Sequence, residues 1–111
     1  MFSFLRRFGP PQIEVADLDA RLDAGTMRLL DVREESEFRS GHVPGAICVP
    51  LKKLPERLAK LKRDKPYAVI CDRGNRSQSA TNLLLDEGFE GTVSVRGGTI
   101  AWAASGRAII R

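Results

Sequence analysis

The residues best suited to covalent chemistry lie in one short segment, Cys71-Asp72-Arg73-Gly74-Asn75-Arg76-Ser77. The apolar run Tyr67–Ile70 ahead of it reads as a buried strand, which would hold the cysteine's backbone rigidly. Gly74 lets the loop curl so that successive amide N–H groups point inward and make a nest for negative charge. A helix is expected from Arg76 onward, and it aims its free N–H groups and positive dipole end at the same spot. Arg73 and Arg76 add formal positive charge. Each feature favours a thiolate over a thiol; a free cysteine with a pKa of ~8.5 falls to ~3.5–7.5 in such surroundings. A thiolate in an anion nest attacks an electrophilic atom while the nest holds the oxyanion attached to that atom. Two substrate types suit this arrangement: a sulfane sulfur bearing a sulfonate, as in thiosulfate, and a phosphoryl or arsenyl group. The plain alternative is an inert, buried cysteine, but a Cys-x-x-Gly-x-Arg loop opening a helix is not typical of one.

The rest of the composition narrows the field. The chain has 111 residues, 42% hydrophobic and 29% charged, which fits one globular domain. Its two cysteines, Cys48 and Cys71, make no disulfide framework. With no CxxC pair and a single histidine they make no zinc site either, so no metal is expected. No segment approaches the ~18 consecutive apolar residues of a membrane-spanning helix. Eighteen basic against 14 acidic residues give a net charge of +4, a mild bias toward anionic ligands. Much of the excess falls in residues 52–65, as Lys52, Lys53, Arg57, Lys60, Lys62, Arg63 and Lys65. Leu51, Leu54, Leu58 and Leu61 recur there at helical spacing and turn the charges outward, so the run reads as a solvated helix face. A docking surface for an acidic partner is the functional alternative. No aromatic residue interleaves with the run, so nucleic acid is not expected as a partner.

The elements that must position the loop follow from local pattern. Strands are expected at residues 13–15, 27–32, 46–49, 67–70 and 92–95, and helices at 17–24, 34–40, 54–61, 76–87 and 99–104. Such alternation implies an α/β fold, a mostly parallel five-stranded sheet with helices on both faces. In these sheets ligands bind beyond the carboxyl ends of the strands, where the Cys71 loop falls.

With these pieces in place, the sequence resembles the single-domain rhodanese family of sulfurtransferases from about Val15 to Ile109. Asp31-Val32-Arg33-Glu34-x-x-Glu37-Phe38-x-x-Gly41-His42-Val43-Pro44-Gly45-Ala46 resembles the family's first signature, Cys71-x-x-Gly74-x-Arg76-Ser77 its active-site loop, and Gly97-Gly98-x-x-x-Trp102 its closing signature. The resemblance implies a small α/β domain with a central parallel sheet. It implies that the Cys71 thiolate takes the outer sulfur of thiosulfate or another sulfane donor as a persulfide, and that a thiol or protein acceptor then removes it. The loop amides from Asp72 through Arg73, Gly74, Asn75 and Arg76 to Ser77 would cradle the persulfide. No organic cofactor is implied. Related phosphatase-type domains carry one more residue between cysteine and arginine; the four residues between Cys71 and Arg76 suit a single sulfur atom.

Several residues carry two readings. The family commonly has asparagine where Cys48 stands. Cys48 reads as a small buried strand residue, and the sharper alternative is a resolving thiol acting on Cys71. Arg33 reads as part of a charged network, with a substrate-facing accessory role as the alternative. His42, a tempting general base, reads as structural in its turn. Trp102 reads as core or rim packing. Arg73 is either an anchor for the anionic donor or a solvated loop charge. Residues 1–10 read as a leader that packs on the domain or frays, with a weak membrane-surface anchor as the alternative, and residues 11–111 as the domain. The leader's arginines interrupt its apolar residues too early for a secretory signal, so the protein is expected in the cytoplasm, as a monomer.

Overall fold

The structure is a computed structural model describing residues 9–111. Most of the expected leader, residues 1–8, lies outside the described residues. Pro10, at its end, is buried against the domain.

Five strands, β1 (Gln12–Ile13), β2 (Arg28–Asp31), β3 (Ile47–Cys48), β4 (Tyr67–Ile70) and β5 (Val93–Val95), form one sheet in the order β1-β5-β4-β2-β3. Every pairing is parallel. Central strand β4 has all four residues buried, as a strand covered on both faces must. Alternation along it feeds two cores. Tyr67, Val69 and Cys71 join Leu30 and Val32 on one side. Ala68 and Ile70 join Leu29, Ile13 and Val95 on the other.

Helices cover both faces. On the Cys71 side lie α3 (Leu54–Arg57) and α4 (Asn75–Asp86), which bury Leu54, Ala80 and Leu84. On the other side lie α1 (Val15–Asp23) and α5 (Gly98–Ala104), which bury Leu18 and Trp102. A short helix, α2 (Glu35–Ser40), follows β2 and buries no residue. Truncating Leu84 to alanine in such a core costs about 2–5 kcal/mol.

The expected helix over 54–61 is a corrected expectation. Its span divides into α3 and a 3-10 turn at Leu58–Lys60, with another 3-10 turn at Leu51–Lys53 just ahead of it. Arg57, at φ −99° and ψ −7°, departs from α geometry between α3 and the Leu58–Lys60 turn. Pro55 is tolerated because its missing N–H falls in the first turn of α3. The buried side is nevertheless the expected one, since Leu54 is fully buried and Leu51, Leu58 and Leu61 pack against the same core. The strand expected at 13–15 stops at Ile13, because Glu14 is already the N-cap of α1.

Candidate active site

Cys71 is the first residue beyond β4, at the carboxyl edge of the sheet, and only 1% exposed. Its sulfur accepts two backbone hydrogen bonds, from the Gly74 amide at 3.2 Å and the Ser77 amide at 3.3 Å. Both donors come from the loop and first turn of α4 that curl over it. The curl requires Gly74: its φ of +106° lies in the left-handed region, and a Cβ there would stand 3.4 Å from the Gly97 nitrogen.

The first turn of α4 is tied down from below. Ser77 shares a buried 2.8 Å hydrogen bond between hydroxyls with Ser94 on β5. The Thr81 hydroxyl donates to the Ser77 carbonyl at 2.7 Å. The start of α5 grips the loop from its far side. Thr99 donates to the Cys71 carbonyl twice, through its amide at 2.9 Å and its hydroxyl at 3.1 Å, and the Ile100 amide donates to the Asp72 carbonyl at 3.1 Å. Gly98 allows that contact, because a Cβ on it would overlap the carbonyl oxygens of both Cys71 and Asp72.

The two loop arginines part company. Arg73 stands outward, its side chain 76% exposed, with a loose 3.9 Å approach to Asp72. Arg76 turns to α2 and meets Glu37 through two hydrogen bonds, 2.7 and 2.9 Å. That bond to Arg76 is the main cause that holds the Glu37 carboxyl down at about 2. The same contact pushes the Arg76 guanidinium up. Glu37 also accepts from the Glu34 amide at 3.0 Å and so completes the capping box of α2.

The accessory candidates lie elsewhere. Arg33, 5% exposed, is bound to Asp31 by two nitrogen donors (Nε at 3.0 Å, Nη2 at 2.8 Å) and donates to the Gly41 carbonyl at 2.8 Å, which places it in an internal network under the 41–45 turn. His42 is part of that turn: its Nδ1 lies 2.8 Å from the Phe38 carbonyl and its ring stacks on Phe38 at 3.7 Å. Cys48 is paired in register with Asp31, which is paired in turn with Ile70. Cys48 and Cys71 are therefore about 10 Å apart across two strand spacings and face opposite sides of the sheet. A disulfide needs Cα atoms within about 7 Å, so this backbone does not bring the two thiols together. Burial pushes the Cys48 thiol up, away from a ready nucleophile. Trp102 packs in the core and donates its indole N–H to the Ala108 carbonyl at 2.8 Å.

A cleft of about 510 Å3 lies at the amino end of β4, opposite Cys71, lined by Arg63, Pro66 and Phe89 among others. Among the described residues, no helix is long and apolar enough to cross a membrane. The sequence points to Cys71 and its loop but assigns no role to Glu37, Ser94 or Thr99. Glu37 and the Gly97-Gly98 pair lie within the family-like signatures, which is the available signal; Ser94 carries none.

A cysteine sulfur cradled by loop amides beyond the central strand of a parallel sheet defines a nucleophile-bearing α/β domain. The family model of the rhodanese-like domain matches residues 14–105, and the chain belongs to that family. It is 39% identical over 77 residues to the thiosulfate sulfurtransferase GlpE of Pseudomonas savastanoi pv. phaseolicola, covering 69% of this chain and 73% of the relative. It is 32% identical over 100 residues to a sulfurtransferase of Allochromatium vinosum, covering 89% of this chain and 94% of the relative. Among solved structures, a rhodanese-related protein from Thermoplasma volcanium superposes with a TM-score of 0.83 at 37% identity, over 90% of this chain and 97% of that one. The class of reaction these relationships support is sulfur transfer.

Proposed function

We propose that the protein moves a sulfane sulfur from thiosulfate, or a donor of the same kind, to a thiophilic acceptor through a persulfide on Cys71. The observation that carries this reading is the Cys71 sulfur itself, held under two amide donors of a loop with four residues between Cys71 and Arg76. The Cys71 thiolate attacks the outer sulfur of thiosulfate. A sulfur–sulfur bond forms, the bond to the sulfonate breaks, and sulfite leaves with the electron pair. The persulfide's terminal sulfur keeps a negative charge, which the amides from Asp72 to Ser77 hold without reorganising. An acceptor thiolate or cyanide then takes that sulfur and returns Cys71 as thiolate, a double displacement. Neither step requires a general base, in keeping with the engaged position of His42.

The test is intact mass after incubation with thiosulfate. Wild type should gain one sulfur atom and Cys71→Ser none; equal gain in both, or none in wild type, sinks the reading. Rapid hydrolysis of an aryl phosphate would instead favour an oxyanion enzyme of the phosphatase or arsenate reductase type.

A relay to a specific protein is the second reading, favoured by the exposed Lys52, Arg57, Lys60 and Lys62, which flank the described fold as a basic face. Reversing charge at Lys52, Lys53 and Arg57 then abolishes transfer to the partner while cyanide turnover persists. Either reading fits a monomer at work in the cytoplasm; sedimentation and cell fractionation check those two points.

A further inference from the structure

The start of α5 holds two consecutive loop carbonyls, those of Cys71 and Asp72. No described peptide bond is cis. In a trans peptide the C=O of one residue and the N–H of the next point in opposite directions. The Cys71 carbonyl is fixed toward α5 by the Thr99 amide and hydroxyl, so the Asp72 N–H faces away from α5. The Asp72 carbonyl is fixed by the Ile100 amide, so the Arg73 N–H faces away as well. Among the described residues, neither of these two N–H groups has an acceptor. Gly74 and Ser77 already give their amides to the sulfur, so those of Asp72 and Arg73 are among the donors left for an incoming atom, together with Asn75 and Arg76 at the start of α4.

We propose that Thr99 is a positioning residue for sulfur transfer: by binding the Cys71 carbonyl it sets the peptide planes that aim the Asp72 and Arg73 amides at the sulfur being transferred. A peptide plane left to rock would need to reorient as charge builds on that sulfur, and preorganised donors avoid this cost. The hydroxyl is the side chain's only polar contribution, and the backbone amide of Thr99 persists in any variant. Thr99→Val therefore removes one hydrogen bond while conserving shape, and Thr99→Ser restores it.

The inference rests on the Cys71 chemistry proposed above, so two readouts are needed. In single-turnover sulfite release from thiosulfate, Thr99→Val should lose about fivefold in rate at saturating donor, the equivalent of about 1 kcal/mol. KM should change less than twofold, because the aimed amides matter most where charge develops. Thr99→Ser should return to within about twofold of wild type. In the second readout, NMR relaxation of the Asp72 and Arg73 amides should show added motion in Thr99→Val that Thr99→Ser removes, whether or not sulfur is transferred. Thermal melting checks that all three proteins are folded, and Gly98→Ala, which forces both carbonyls aside, should give a larger loss in the same direction. If Thr99→Val keeps the wild-type rate and amide motion, or if Thr99→Ser falls as far as Thr99→Val, the inference is overturned. Should wild type release no sulfite, the function proposed above fails and the amide motion alone decides this one.

Discussion

Arg76 and Glu37 face each other through two parallel hydrogen bonds that join the start of α4, which carries the Cys71 loop, to the start of α2. The loop's second arginine is thus neutralised by a carboxylate, and the cradle's pull on anions falls to backbone amides and to Arg73. Glu37 has a double duty, because it also closes the capping box of its own helix.

Glu37→Gln keeps an acceptor for the cap and removes the charge. The pair is 36% and 35% exposed, so solvent screens it, and the expected loss at neutral pH is about 0.5–1 kcal/mol. Glu37→Ala also loses the cap, for about 1–2 kcal/mol in all. The folded-state carboxyl sits at about 2 against 4.5 for an unperturbed one, so the unfolded chain binds this proton first. The contribution is complete above pH 4.5 and disappears as pH falls toward 2. Urea unfolding of wild type and Glu37→Gln should show their gap closing across that window; a constant gap would contradict the assignment.

Arg73 offers an unshielded charge at the rim, where charge steers encounter more than it holds. Arg73→Ala should raise the KM for thiosulfate about threefold, leave kcat within about twofold, and weaken the salt dependence of kcat/KM. Steady-state rates at low and high ionic strength check this.

Ser77 and Ser94 share a hydrogen bond with no water-exposed side. Replacing either serine with alanine strands the other hydroxyl, at about 1–3 kcal/mol each. Replacing both should cost less than the sum of the singles by about 1 kcal/mol, a coupling that a double-mutant cycle in urea reads directly.

Cys48→Ser should leave sulfur uptake and discharge by Cys71 unchanged, because the two thiols lie on opposite faces of the sheet. A persulfide that lives longer in the variant, followed by mass spectrometry, would show that Cys48 reaches it.

Much of this was legible before any coordinates. Strand β4 is buried at every residue and so forms an unbroken apolar run, while β2 shows its buried core in Leu29 and Leu30 between Arg28 and Asp31. The segment from Leu51 to Leu61 was legible as a face but not as a helix, because leucines three and four apart report which side is buried and not whether each turn is α or 3-10. The cradle around Cys71 announced itself through Gly74 and the helix behind it. The destination of Arg76 did not, since its partner lies 39 positions away on another helix. Thr99 was invisible for a related reason: it works through a carbonyl 28 positions back, and a carbonyl leaves no trace in residue type.

The near-complete burial of Cys71 has a consequence for selectivity. A nucleophile on an open surface discriminates among electrophiles by reactivity. One recessed beneath its own loop discriminates first by shape, admitting a reagent whose reactive atom sits at a slender tip and turning away one that is equally reactive but branched beside it. A donor whose sulfur is extended on a single bond, the kind proposed above, has that profile.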